Sequence, residues 1–372
     1  MQSIPLEEYI ALRRLLNCKH IGIVRLRSMI DAIGSGTQLI DTPPKNLLHI
    51  EKMTDLVIKG FIEGAKNGEN DADYKKEYEY ITSISGSVLA YGQPGYPSSL
   101  SNIYDPPVLL YVVGELTEQD KKSLAIVGSR TPSPYGLKTA SDFSRDLVSE
   151  GFTVISGLAR GIDTTAHKAA LSAGGRTIAV LGSGFKNIYP SENKKLAKDI
   201  STSGAVITEF APDTKPDAIN FPARNRIISG LSLGSLIVET AEKGGALHTA
   251  AFAIDQGREV FAIPGNINSL KSGGTNRLIQ DGNAKLVMNV ADVLIEFKIV
   301  PKSNPDPAPV LQLSDLSMFE EKIYTTIGFE PLHIDQISSL TGLNISECLI
   351  NLLQLEFKGL VRQQPGKNFV RI

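Results

Sequence analysis

Between residues 124 and 287 the chain repeats one pattern seven times: a short, β-branched apolar run, a glycine-rich or polar turn, then a stretch of helical spacing. The runs fall at 124–127, 152–155, 177–181, 205–208, 235–238, 260–263 and 285–287. Runs this short and this apolar fit strands buried on both faces between layers of helices. Their alternation with helical stretches specifies βαβ units closing a parallel sheet. The expected class is therefore α/β, a doubly wound and mostly parallel sheet. Ligands of such sheets lie beyond the carboxyl ends of the strands, which directs attention to the turns that follow these runs.

The repeat leaves both ends of the 372-residue chain unexplained, and that length exceeds one ordinary core. Residues 1–75 are expected to form a small helical domain, with apolar residues at helical spacing from Tyr9 to Leu16 and from Ile21 to Ile30. The turn between them, Asn17-Cys18-Lys19-His20-Ile21-Gly22, resembles a helix-hairpin-helix or SAM-like module, in which amides at a helix start meet a phosphate. A plain bundle used for packing or partner contact fits the same residues. Residues 76–298 are assigned to the sheet domain, with 76–120 as its lead-in. Pro301, Pro305, Pro307 and Pro309 mark a linker over 299–314. Residues 315–372 read as a winged helix, with helical patterns at 316–327, 334–340 and 345–357 and two short strands around Pro365-Gly366-Lys367.

A formal net charge of −2 hides an asymmetry, because residues 121–235 hold 15 Lys and Arg against 9 Asp and Glu. That local excess beside glycine-rich turns favours a polyanionic partner. No apolar run approaches the ~20 residues that span a bilayer, and the first 30 residues carry charges throughout. The two cysteines, Cys18 and Cys348, stand near opposite ends of the chain and lack metal-ligand spacing. A soluble cytoplasmic protein with reduced cysteines, no membrane association and no cofactor is expected.

The turns carry the chemistry. After the first run come Gly128, Ser129 and Arg130, where glycine admits a phosphate to the backbone and arginine supplies a fixed positive charge. The second run ends in Gly157-Leu158-Ala159-Arg160-Gly161-Ile162-Asp163, with Asp163 expected to cap the helix containing His167, or less readily to pair with it. Gly182 and Gly184 follow the third run, with Lys186, Tyr189 and Asn193 beyond. Phe221, Arg224, Asn225 and Arg226 then place a ring beside two guanidiniums and an amide, a recipe for single-strand binding in which a base stacks and phosphates pair. The same residues also suit a ring plugged into the core and arginines paired with acids. Lys243 and, later, Gly274 and Thr275 complete the rim at helix starts.

The runs AIVGSR (125–130), SGLARGID (156–163), LGSG with YPSEN (181–193), FPARNRIISGLS (221–232), AIPG (262–265) and GGTNRLIQDGN (273–283) resemble the DNA-processing protein A family, DprA or Smf. The match covers nearly all of the central region in order. The resemblance implies an extended Rossmann-like fold that binds single-stranded DNA, as a homodimer, protects incoming strands and loads RecA recombinase during natural transformation. By position it implies that Arg130, Phe221 and the loop from Gly182 to Asn193 line the DNA groove. Two positions depart from the family's pattern, since Ser191 and Ala218 stand where members often carry lysine. Lys186, Lys194 and Lys215 are the nearby cations.

One enzymatic alternative shares the glycine-rich turn. Rossmann-like phosphoribohydrolases of the lysine-decarboxylase-like type need a carboxylate on the helix after it, and here Lys243-Gly244-Gly245 is followed by no acid until Asp255. The chain is accordingly expected not to be an enzyme.

Overall fold

A computed structural model describes residues 2–50, 53–301 and 316–371. Most of the expected linker lies outside the described residues. The amino-terminal part is helical: α1 (Leu6–Leu16), α2 (Ile23–Ile33), α3 (Gly36–Asp41), α4 (Pro44–Leu47), α5 (Asp55–Ala65) and α6 (Asp71–Ser83). Their buried faces are apolar at helical spacing, with Tyr9, Leu12 and Leu15 meeting Leu26, Met29 and Phe61 in one cluster that also takes in Val88 and Tyr111. The Tyr9 and Tyr111 hydroxyls lie 3.0 Å apart inside that cluster. Cys18 and Cys348 are buried and unpaired, and burial pushes the Cys18 thiol up to about 11.

The central part runs β1 (Gly86–Ala90), α7 (Ser98–Ser101), β2 (Leu109–Gly114), β3 (Ser123–Val127), α8 (Pro134–Ser149), β4 (Thr153–Ser156), α9 (Ile162–Ser172), β5 (Thr177–Val180), α10 (Lys194–Ser203) and β6 (Ala205–Thr208). It continues with α11 (Asn220–Leu231), β7 (Gly234–Ile237), α12 (Ala246–Asp255), β8 (Glu259–Ala262), α13 (Gly273–Gln280), β9 (Lys285–Leu286) and α14 (Val290–Glu296). These strands form one nine-stranded sheet among the described residues, in the order β1-β2-β6-β5-β4-β3-β7-β8-β9. From β6 to β9 every pairing is parallel, whereas β2 runs antiparallel to β6 and β1 antiparallel to β2.

Alternation along a strand decides which layer each side chain serves. On β3, Leu124 and Ile126 pack with Phe143 and Leu147 of α8 and Ile162 of α9. Ala125 and Val127 pack with Ile227 and Ile228 of α11 and Ala250 of α12 on the other face. The strand order turns back between β3 and β7, so the carboxyl ends of those two strands frame the crevice where such sheets bind ligands.

The carboxy-terminal part folds as a winged helix: α15 (Met318–Thr326), β10 (Leu332–His333), α16 (Ile334–Thr341), α17 (Ile345–Phe357), β11 (Val361–Gln364) and β12 (Asn368–Arg371). It has its own core of Ile323, Ile337, Leu352, Leu355 and Phe369. Ser317 with Glu320 and Asn344 with Glu347 form capping boxes at the starts of α15 and α17, fixing both boundaries. No helix among the described residues is long and apolar enough to cross a membrane.

Candidate nucleic-acid interface

A cavity of about 720 Å³ opens at the β3/β7 switch point. The turn after β3 forms one wall, Phe221 and Tyr189 stand at another, and the first turn of α12, with Gly244, Gly245 and Ala246, closes the third. Four side chains, three from separate loops and one from the first turn of α11, gather at its mouth. The Arg130 guanidinium lies 5.4 Å from the centre of the Phe221 ring, Phe221 and Tyr189 are tilted rings 5.7 Å apart, and Arg160 lies 5.9 Å from Tyr189. Arg130 and Arg160 are exposed and Tyr189 is 41 % exposed, so both arginines and one ring reach solvent. Arg160 is clamped by Glu192, with Nη2 donating to Oε2 at 3.1 Å. Exposed Lys194, Lys215 and Lys243 add to the same end of the sheet, and Asn225 is half-buried against the cavity.

Several expected contacts are corrected by burial. Arg226 is 4 % exposed and is held by Glu209, with Nη2 donating to Oε2 at 2.7 Å, and by Asp105 at 3.0 Å. Its charge is spent inside the protein, and no phosphate reaches it. Arg224, 3 % exposed, lies in the cavity floor, where Nη1 donates to the carbonyls of Gly157 and Val180 and ties the ends of β4 and β5 together. Burial pushes that guanidinium down to about 10. Asn193 is buried and donates to the Leu158 carbonyl and to Thr164 Oγ1, both at 2.8 Å. Thr275 is buried and donates to the Ser272 carbonyl, and Lys186 is exposed but paired with Asp213 at 2.9 Å.

At these glycines the backbone packs more closely than a side chain would allow. A Cβ on Gly182 would sit 2.8 Å from the Phe221 ring, one on Gly157 2.5 Å from the Arg224 guanidinium, and one on Gly184 2.1 Å from the Ala211 carbonyl oxygen. Gly128 is similarly pressed against Ile162, and Gly274 against the backbone of Ala241. Ser129 donates its amide to the Glu239 carbonyl at 2.7 Å.

Glu239, in the turn after β7, fills the helix start that follows β3. Its buried carboxylate accepts from the Ser133 amide at 2.8 Å and from the Ser133 hydroxyl, at the start of α8. The helix start that was expected to take a phosphate therefore already holds a negative charge. Asp163 is also reassigned: Gly161 is the N-cap of α9, and the Asp163 carboxylate reaches back to the amides of Gly157 and Ala159 at 3.1 and 3.3 Å. Burial raises its carboxyl and the Arg224 charge opposes that rise. His167 takes no part with it. Its Nδ1 meets Thr177 Oγ1 at 2.7 Å, and burial, with Arg224 second, lowers the ring to about 3. Thr177 gives its own hydrogen to the Val154 carbonyl, so His167 Nδ1 is the donor and the ring is neutral. Among the described residues no cluster of His, Cys, Asp and Glu could hold a metal ion.

Comparison with known proteins places this arrangement. The family model described as DNA recombination-mediator protein A matches residues 87–298, and the DprA winged helix domain matches 305–367. Protein Smf of Synechocystis is 35% identical over 344 residues, covering 83% of this chain and 85% of that protein. DNA processing protein DprA of Bacillus subtilis is 43% identical over 210 residues, covering 56% of this chain and 69% of that protein. The X-ray structure of DprA from Streptococcus pneumoniae superposes with a TM-score of 0.67 at 35% identity, covering 80% of this chain and 99% of that one. A structure of DNA processing protein A from Helicobacter pylori, solved for its single-stranded DNA binding mode, gives 0.52 at 30% identity, covering 57% of this chain and 95% of that one. With the matched order of elements and more than half of the chain inside one family model, the chain belongs to the DNA recombination-mediator protein A family.

Proposed function

We propose that this chain binds single-stranded DNA across the mouth of the β3/β7 cavity, protects it and passes it to a RecA-class recombinase during natural transformation. The observation that carries the reading is the stack of Arg130, Phe221, Tyr189 and Arg160. It offers a partly exposed tyrosine ring to a base and an exposed arginine to a phosphate, without an element shaped for the major groove. Stacking contributes ~1–3 kcal/mol per base, is tolerant of sequence, and suits a strand already unpaired. The relative from Helicobacter pylori binds single-stranded DNA, and the family is one of recombination mediators. Fluorescence anisotropy with labelled single-stranded and duplex oligonucleotides tests the reading. Single strands should bind more tightly, with affinity falling as salt rises, and equal affinity for duplex would defeat the proposal.

A homodimer is part of the same reading. Leu286 on the edge strand β9, Met288 just past it and Ile295 on α14 are 42%, 73% and 65% exposed, apolar side chains that a second copy would cover. Recombinase loading is tested by RecA filament growth on strands coated with single-strand-binding protein, with and without this chain. We also read the protein as non-enzymatic and cytoplasmic. Supporting the first is α12, which carries no acid before Asp255 where a nucleotide-cleaving relative of the fold needs one. Released base on incubation with nucleoside monophosphates would refute it.

A further inference from the structure

In a winged helix that reads sequence, the third helix presents polar and cationic side chains to base edges. The third helix here presents something else. On α17, Ile345, Leu349, Leu353 and Phe357 recur every fourth residue and are 46%, 38%, 53% and 80% exposed, with Ile350 beside them at 62%. The opposite face supplies Cys348, Leu352 and Leu355 to the domain core. The helix is thus apolar on both sides, and its outer stripe runs for about 18 Å.

Two asparagines and the cation at the end of the helix are already committed. Asn344 caps it by accepting from the Glu347 amide, and Asn351 donates to the Glu347 carbonyl. Lys358, the cation at its end, pairs with Glu320 at 2.8 Å. The charges adjoining the stripe are carboxylates: Glu347 stands one turn before Ile350, and Glu356 one turn after Leu353. Such a face loses hydration when covered by another apolar surface and repels phosphates.

We propose that the outer face of α17 is a docking surface for an amphipathic helical segment of a partner protein, one whose apolar stripe is bordered by Lys or Arg. An apolar face a little over three turns long suits a helix laid along it, with anchors at successive turns. The carboxylates select basic flanks on that helix.

The test uses the full chain and a labelled amphipathic peptide of about four turns, leucine along one face and lysine on both borders, read by anisotropy. It is compared with the isomer bordered by glutamate. The lysine-bordered peptide should bind, the glutamate-bordered one at least about tenfold more weakly. Leu353→Asp and, separately, Ile350→Glu should each weaken the first by about tenfold or more, with the circular dichroism spectrum and single-strand affinity unchanged. Equal binding of both peptides, binding of neither, or indifference to both substitutions would overturn the proposal. So would a change in the oligomeric state of the free chain on either substitution, which would make a second copy the occupant, or a loss of duplex affinity, which would make it DNA.

Discussion

Arg224 Nη1 donates to the carbonyl oxygen of Gly157 at 2.7 Å, and the same guanidinium occupies the space that a Gly157 side chain would need. The pair is a lock between α11 and the end of β4. Gly157→Ala should therefore lower stability by roughly 2 kcal/mol or more through overpacking, seen as an earlier midpoint in urea unfolding at unchanged slope. Wild-type stability in that variant would mean that the guanidinium moves aside freely.

Arg130→Ala removes an exposed cation that supports no core contact, so the circular dichroism spectrum should not change. Single-strand affinity should fall about tenfold, and the slope of log affinity against log salt should shrink by about 0.7. Arg130→Lys restores the charge without the planar group that lies on Phe221 and should recover the salt slope but only part of the affinity.

His167 ties stability to acid. Its ring is neutral in the fold, lowered to about 3, against an ordinary value of 6.5. The unfolded chain therefore takes up a proton first as pH falls, and stability drops from about pH 6.5 down toward pH 3. The loss between pH 7 and pH 5 should be about 2 kcal/mol. His167→Gln should flatten that part of the profile in thermal melts recorded across the range, and an unchanged profile would place the acid sensitivity elsewhere.

A chain ending at residue 298 should keep single-strand affinity within about threefold, because the stack at the cavity mouth belongs wholly to the sheet region. Gel shifts on that shortened chain decide it. Loss of binding with the sheet region still folded would move the DNA site to the winged helix.

The strands and the winged helix were legible because each depends on patterns within a few residues: short β-branched runs, glycine-ended turns, helical spacing. The lead-in strand β1 escaped notice, since its pairing with β2 is made across a proline-rich stretch. The fate of the arginines was illegible for a different reason. Arg226 finds Glu209 17 residues away and Asp105 121 residues away, and Arg224 finds the carbonyls of Gly157, just past β4, and of Val180, at the end of β5. In sequence, a guanidinium beside a glycine-rich turn reads the same whether it waits for a phosphate or braces a loop.

Glu239 has a bearing on conditions inside a cell. Doubly wound sheets commonly take a nucleotide's phosphates at the helix start after the first strand, and there this chain carries its own carboxylate, hydrogen-bonded to Ser133. Millimolar ATP and GTP would have to displace a tethered, buried charge to settle at that position. For a chain proposed to hold a long polyanion, that filled helix start leaves small polyanions one place fewer at which to compete.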